Sequence, residues 1–167
     1  PLAVPTLAGC APPPADPGSA AVPAAGSGRA LPATSVEPVE AGAATTTTEL
    51  VRARVAIIDV WATWCQACRP VTKKVESLAA SKKDAGLLVV SLNVGEERSS
   101  VERYLADHPS TLPVYLDGEF DFANELGKIQ LPAVVVVVHL GNVRMVRSNV
   151  DAEMTTLVDG LLAADTR

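Results

Sequence analysis

Residues 55–70, V-A-I-I-D-V-W-A-T-W-C-Q-A-C-R-P, limit what this chain can fold into more than any other stretch. Apolar residues on both sides of Asp59 read as a buried strand. The strand runs through Trp61 and Trp64 into Cys65-Gln66-Ala67-Cys68, where a helical pattern begins. Two cysteines at this spacing can close a disulfide within one turn. With Cys65 at the mouth of a helix, unpaired backbone N–H groups and the positive end of the helix dipole favour thiolate over thiol, and the thiolate is the nucleophile. A strand that delivers C-x-x-C onto a helix start therefore points to thiol–disulfide exchange. A zinc site is not expected, because the metal needs three or four ligands and the chain adds only Cys10, His108 and His139, without metal-like spacing. A purely structural bridge is the weaker reading, since so short a loop removes little chain entropy.

Composition enters where the chain must be divided. Residues 1–44 hold nine of the thirteen prolines, no aromatic residue and four charges (Asp16, Arg29, Glu37, Glu40). Such a segment buries too little apolar surface to offset its ordering entropy, so it is expected to be a disordered Pro/Ala-rich tether. Residues 45–167 carry all six aromatics and suffice for one compact domain. The net charge of −5 comes with no basic cluster, which argues against nucleic-acid binding. The longest apolar run, residues 133–138, is far short of the ~20 residues of a spanning helix.

Along the chain, residues 45–52 read as an irregular lead-in to the first central strand. Val71, Val75, Leu78 and Ala79 recur at helical spacing, predicting an amphipathic helix over residues 66–81. Residues 87–94, L-L-V-V-S-L-N-V, read as a strand covered on both faces. A short helix is expected over 99–107, a strand over 112–116 and a helix over 119–128 that ends near Gly127. Residues 133–138 are the most β-prone run; Gly141-Asn142 turns the chain, and 143–147 return as the second arm of a hairpin. Asp151 is expected to cap a last helix through Met154, Leu157, Val158, Leu161 and Leu162. Alternation of this kind predicts an α/β fold, a central mixed sheet with helices on both faces.

With that order in place, the chain resembles the TlpA/ResA-like thiol–disulfide oxidoreductases of bacterial envelopes, which have the thioredoxin fold. The resemblance covers residues 50–165. It is carried by Val60-Trp61-Ala62-Thr63-Trp64-Cys65-Gln66-Ala67-Cys68-Arg69, by Leu92-Asn93-Val94-Gly95-Glu96, by a helix–strand insert over residues 99–116, and by Leu131-Pro132 ahead of a hairpin. It implies that Cys65 attacks a substrate disulfide and that Cys68 resolves the mixed disulfide. The proline before the hairpin is cis in that family and lies against the cysteines where substrate backbone pairs, which implies a substrate-binding role for Leu131 and Pro132 beside Trp64. Asp59 matches the buried acid behind the second cysteine, whose raised pKa lets it accept and return the Cys68 proton. Three departures bear on potential and partner choice. Lys73 stands where many relatives have proline, Val71 stands where some ResA-like members have glutamate, and Gln66-Ala67 is an unusual pair between the cysteines. Pro70 is expected to bend the first helical turn. Glu96 and Glu97 read as a solvated loop, and His108 and His139 as residues at element ends.

Leu7-Ala8-Gly9-Cys10 resembles a bacterial lipobox, which implies lipidation of Cys10 and a membrane anchor on the extracytoplasmic, periplasmic side. The family resemblance implies that the protein reduces rather than forms protein disulfides in the cell envelope, with apocytochrome c or another envelope protein as substrate. No bound cofactor is required, because electrons travel on Cys65 and Cys68, and an upstream membrane thiol reductase would recharge them. The rival reading is a non-catalytic thioredoxin-like module that binds a partner or handles copper.

Overall fold

The computed structural model describes residues 28–139 and 141–165. The central strands are β4 (Ala56–Trp61), β5 (Leu88–Val94), β6 (Val114–Asp117), β7 (Ala133–Val138) and β8 (Asn142–Arg147). They are interleaved with α2 (Cys68–Lys82), α3 (Arg98–Asp107), α4 (Asp121–Glu125) and α5 (Ala152–Asp165). Ahead of them come β1 (Arg29–Ala30), β2 (Ser35–Pro38), β3 (Thr45–Thr46) and a single-turn helix, α1 (Thr47–Leu50). The sheet order is β1-β8-β7-β4-β5-β6-β2-β3. β4, β5 and β6 run parallel, and β7 and β8 close one side antiparallel. This is the mixed α/β architecture the sequence predicts, with every central element in the expected order.

Each face of the sheet has its own apolar layer. Ile57, Val89, Val134 and Val136 pack with Val71, Val75 and Leu78 of α2 and with Met154, Val158 and Leu162 of α5. Ile58, Val60, Leu92 and Val135 pack on the opposite face with Phe122 and Leu126. The run of five valines in β7 is buried throughout because both faces are covered. A third cluster gathers Trp61, Cys68, Val114 and Leu116 beneath Val101 of α3. Among the described residues, no helix is long and apolar enough to cross a membrane.

Three expectations are corrected. The tether expected over residues 1–44 does not extend to 44. β1 pairs with β8, β2 pairs with β6 and β3, and Leu31, Thr34 and Val36 are buried. Averaged composition hid two apolar residues whose burial needs partners remote in sequence. Residues 45–50, expected to be irregular, form β3 and α1, the latter capped by Thr46 Oγ1 accepting the Glu49 N–H. α2 begins at Cys68, because Gln66 and Ala67 belong to a turn closed by the Cys68 N–H on the Cys65 carbonyl at 3.0 Å. Pro70 sits in the first turn of that helix, where its missing N–H would have had no helical partner. Residues 1–27, with the lipobox-like segment and Cys10, lie outside the described residues.

Candidate active site

The site lies where the parallel strands end. β4 leads into Ala62-Thr63-Trp64-Cys65, a turn closed by the Cys65 N–H on the Ala62 carbonyl at 3.1 Å, and the chain enters α2 three residues later. Cys65 and Cys68 form a disulfide with an S–S distance of 2.04 Å. The two sulfurs are not equivalent. Cys68 is 2% exposed within the cluster of Trp61, Val101, Val114 and Leu116, whereas Cys65 is half-buried at its rim. Trp64, immediately before Cys65, is 63% exposed and is the exposed large apolar side chain among the described residues.

Alternation along β4 turns Ile57, Asp59 and Trp61 to the α2 side of the sheet. Asp59 is 1% exposed there, and its Oδ2 accepts a 2.7 Å hydrogen bond from Thr72 Oγ1, one helical turn after Cys68. Among the described residues its Oδ1 has no hydrogen-bond partner. Burial, which penalises the charged form, pushes the Asp59 carboxyl up to about 7; the Thr72 hydrogen bond opposes that shift and the Glu76 charge adds to it. Between α2 and α3 lies a cavity of about 190 Å³ whose walls include Trp61, Cys68, Thr72, Ser91, Tyr104 and His108. Tyr104 bridges the ring of Trp61, at 5.4 Å, to that of His108, at 4.4 Å.

The Leu131–Pro132 peptide is cis. Ala133 pairs with Val60, so this peptide lies beside the end of β4, and Leu131 packs against the same cluster as Cys65 and Cys68. The structure therefore brings together Asp59, Trp64, Cys65, Cys68, Leu131 and Pro132, which are distributed over two segments of the chain.

Sequence reasoning missed the group that ties the Cys65 turn down. Glu96, expected in a solvated loop, accepts hydrogen bonds from the Thr63 N–H at 2.6 Å, from Thr63 Oγ1, and from Asn93 Nδ2 at 2.7 Å. It reaches that position because Gly95 adopts φ +72, where a side chain would also strike the Phe120 ring, its Cβ 2.8 Å from a ring carbon. No local signal announces a contact between residues 33 apart. Thr72 was missed likewise, since a threonine on a helix carries no mark of its partner.

Residues 26–160 match the family model described as Redoxin. The chain is 25% identical over 95 residues to the thiol-disulfide oxidoreductase ResA of Geobacillus kaustophilus, across 57% of this chain and 55% of that protein. It is 30% identical over 120 residues to the thiol:disulfide interchange protein DsbE of Yersinia pestis, across 70% of this chain and 61% of that one. The chain thus spans a little over half the length of these curated relatives. The backbone matches the thioredoxin domain of a thiol-disulfide oxidoreductase from Bacteroides vulgatus with a TM-score of 0.67 at 15% identity, covering 81% of this chain and 98% of that domain. That likeness shows the thioredoxin fold.

Proposed function

The chain belongs to the Redoxin family, and from that premise we propose that it is a thiol–disulfide oxidoreductase that reduces protein disulfides in the bacterial cell envelope. The observation that carries this reading is the asymmetry of the sulfur pair: Cys65 is half-buried at the rim beside an exposed tryptophan, and Cys68 is buried behind it, one helical turn before Thr72, the residue that donates to Asp59. In the reduced pair the Cys65 thiolate attacks one sulfur of a substrate disulfide. A mixed disulfide forms and one substrate thiolate leaves. The Cys68 thiol then gives its proton to Asp59 and attacks Cys65 Sγ, releasing the second substrate thiolate and forming the Cys65–Cys68 disulfide. Two electrons have passed to the substrate, and Asp59 returns its proton as the leaving thiolate is quenched. A carboxyl titrating near neutrality can do both.

Trp64, Leu131 and the cis Pro132 line the approach to Cys65 and bind the substrate chain, with the backbone beside the cis peptide supplying hydrogen bonds. The pair needs no further cofactor, and an upstream membrane thiol reductase returns the two electrons. The lipobox-like segment ending at Cys10 supports a lipid anchor on the extracytoplasmic face.

Insulin reduction tests the activity. The wild type is expected to precipitate the insulin B chain when supplied with dithiothreitol and Cys65→Ala to lose that catalysis, while Cys68→Ala, reduced beforehand and mixed with insulin in the absence of dithiothreitol, is expected to accumulate a mixed disulfide visible on a non-reducing gel. A wild type no faster than dithiothreitol alone would refute the activity. Equilibration of the pair with glutathione tests the direction: a couple less reducing than glutathione would make the protein an oxidant.

A further inference from the structure

Resting on the exchange chemistry proposed above, we propose that Glu96 is a positioning residue for the redox pair, its carboxylate holding the turn that presents Cys65 through two hydrogen bonds accepted from Thr63 while a third, from Asn93, holds the carboxylate itself. Thr63 is the first inner residue of the turn that Cys65 closes on Ala62. Glu96 takes both the backbone N–H and the hydroxyl of that residue, which fixes the plane of the turn and hence where Trp64 and Cys65 project. The carboxylate is itself held by Asn93, a fully buried residue of β5 whose register partner is Trp61 at the end of β4. The tie therefore runs from one rigid parallel strand to its neighbour, and bonds to a charged acceptor are the stronger kind.

The physical consequence concerns effective concentration. Whether a dithiol pair closes depends on how often one sulfur finds the other, and a held turn keeps Cys65 where Cys68 can reach it. Releasing Thr63 lets the turn spread over more conformations, lowers that effective concentration and favours the open dithiol. A tie that merely stabilised the loop would lower the melting temperature and leave this equilibrium unchanged.

The experiment measures the equilibrium constant of the Cys65–Cys68 couple against dithiothreitol for the wild type and for Glu96→Ala, Glu96→Gln and Thr63→Val, with circular dichroism and melting curves beside it. Glu96→Ala is expected to shift the constant toward the dithiol by about tenfold. Glu96→Gln is expected to lie close to the wild-type constant, because its carbonyl can accept from the Thr63 N–H and Asn93 while its amide donates to the Thr63 hydroxyl. Thr63→Val, which keeps the N–H and loses the hydroxyl, falls between wild type and Glu96→Ala. A folded Glu96→Ala within about twofold of wild type overturns the proposal, as does Glu96→Gln shifted as far as Glu96→Ala. If Glu96→Ala does not fold, Thr63→Val decides, and a shift under about twofold overturns it. The measurement needs only the sulfur pair, so it stays readable even for a wild type inactive on insulin, a result that would refute the exchange reading alone.

Discussion

Asp59 is a carboxyl whose folded-state pKa of about 7 lies well above its ordinary value of 3.8. The folded protein therefore holds a proton that the unfolded chain releases, and stability falls as pH rises from about 4 to about 7 and stays low above that. A raised carboxyl pKa destabilises the fold at neutral and alkaline pH, the reverse of a salt-bridged acid. Asp59→Asn removes the penalty while keeping the shape. It is expected to match wild type near pH 4 and to exceed it at pH 8 by on the order of 4 kcal/mol, read from urea midpoints at the two pH values. The same variant should lose the limb near pH 7 in the rate of mixed-disulfide resolution; an unchanged rate profile would remove Asp59 from the proton relay. At this scale the sequence shows residues that share one segment: Cys65 and Cys68 announce themselves by spacing, and Asp59, in the strand that leads to them, by the family resemblance. Glu96 and Thr72 do not, because each acts through a partner placed beside it only by the parallel pairing of β4 with β5 or by the packing of α2 on the sheet.

The central elements were legible because their apolar period is strong, and their ends were not, because ends are set by single hydrogen bonds. The α2 start moved from residue 66 to 68 through the turn at Cys65, and the helix expected over 119–128 contracts to Asp121–Glu125. There Asp117 accepts the N–H groups of Asp121 and Phe122 in place of a cap at the residue before the helix. A different carboxylate couples α2 to the α3–β6 connection. Glu76 accepts from Thr111 N–H at 3.0 Å, Ser110 Oγ at 3.2 Å and Lys73 Nζ at 2.7 Å. Burial alone would push this carboxyl up, but those donors together hold it below its ordinary value of 4.5. Its stabilisation is therefore present above the unfolded pKa and is lost as pH falls through the lower folded value. Glu76→Ala is expected to cost about 1–2 kcal/mol at pH 7 and to expose the Thr111 amide to faster hydrogen exchange. Its difference from wild type should vanish in acid, below the carboxylate range. A constant difference between pH 7 and pH 2 would mean that packing, not the ionised carboxylate, makes the contribution.

For the whole molecule, the segment read as tether changes what the domain is. β1 lies on the β8 edge and β2 on the β6 edge, so residues 31–34 carry the chain from one side of the sheet to the other. On the way Leu31 and Val36 join the apolar layer of Ile58, Val60, Leu92 and Phe122. Polar contacts fasten the same segment at both sides. Arg29 donates to the Leu126 and Glu125 carbonyls at 2.9 and 2.6 Å, closing the end of α4, and Arg98 at the start of α3 donates to the Pro38 and Val39 carbonyls at 3.0 and 2.9 Å. Val39 in turn packs against the cluster that holds Cys68, so the segment reaches the neighbourhood of the sulfur pair. Burying two aliphatic side chains of this size contributes about 1.5–3 kcal/mol each, which is a large share of the ~5–15 kcal/mol that holds a domain together. A chain starting at Thr45 should therefore unfold at a much lower urea concentration than one starting at Gly28. It should also self-associate on gel filtration, because the N–H and C=O groups of the β6 and β8 edges lose their partners. If the two chains shared one urea midpoint and one elution volume, β1 and β2 would be ornaments on a domain that is complete without them.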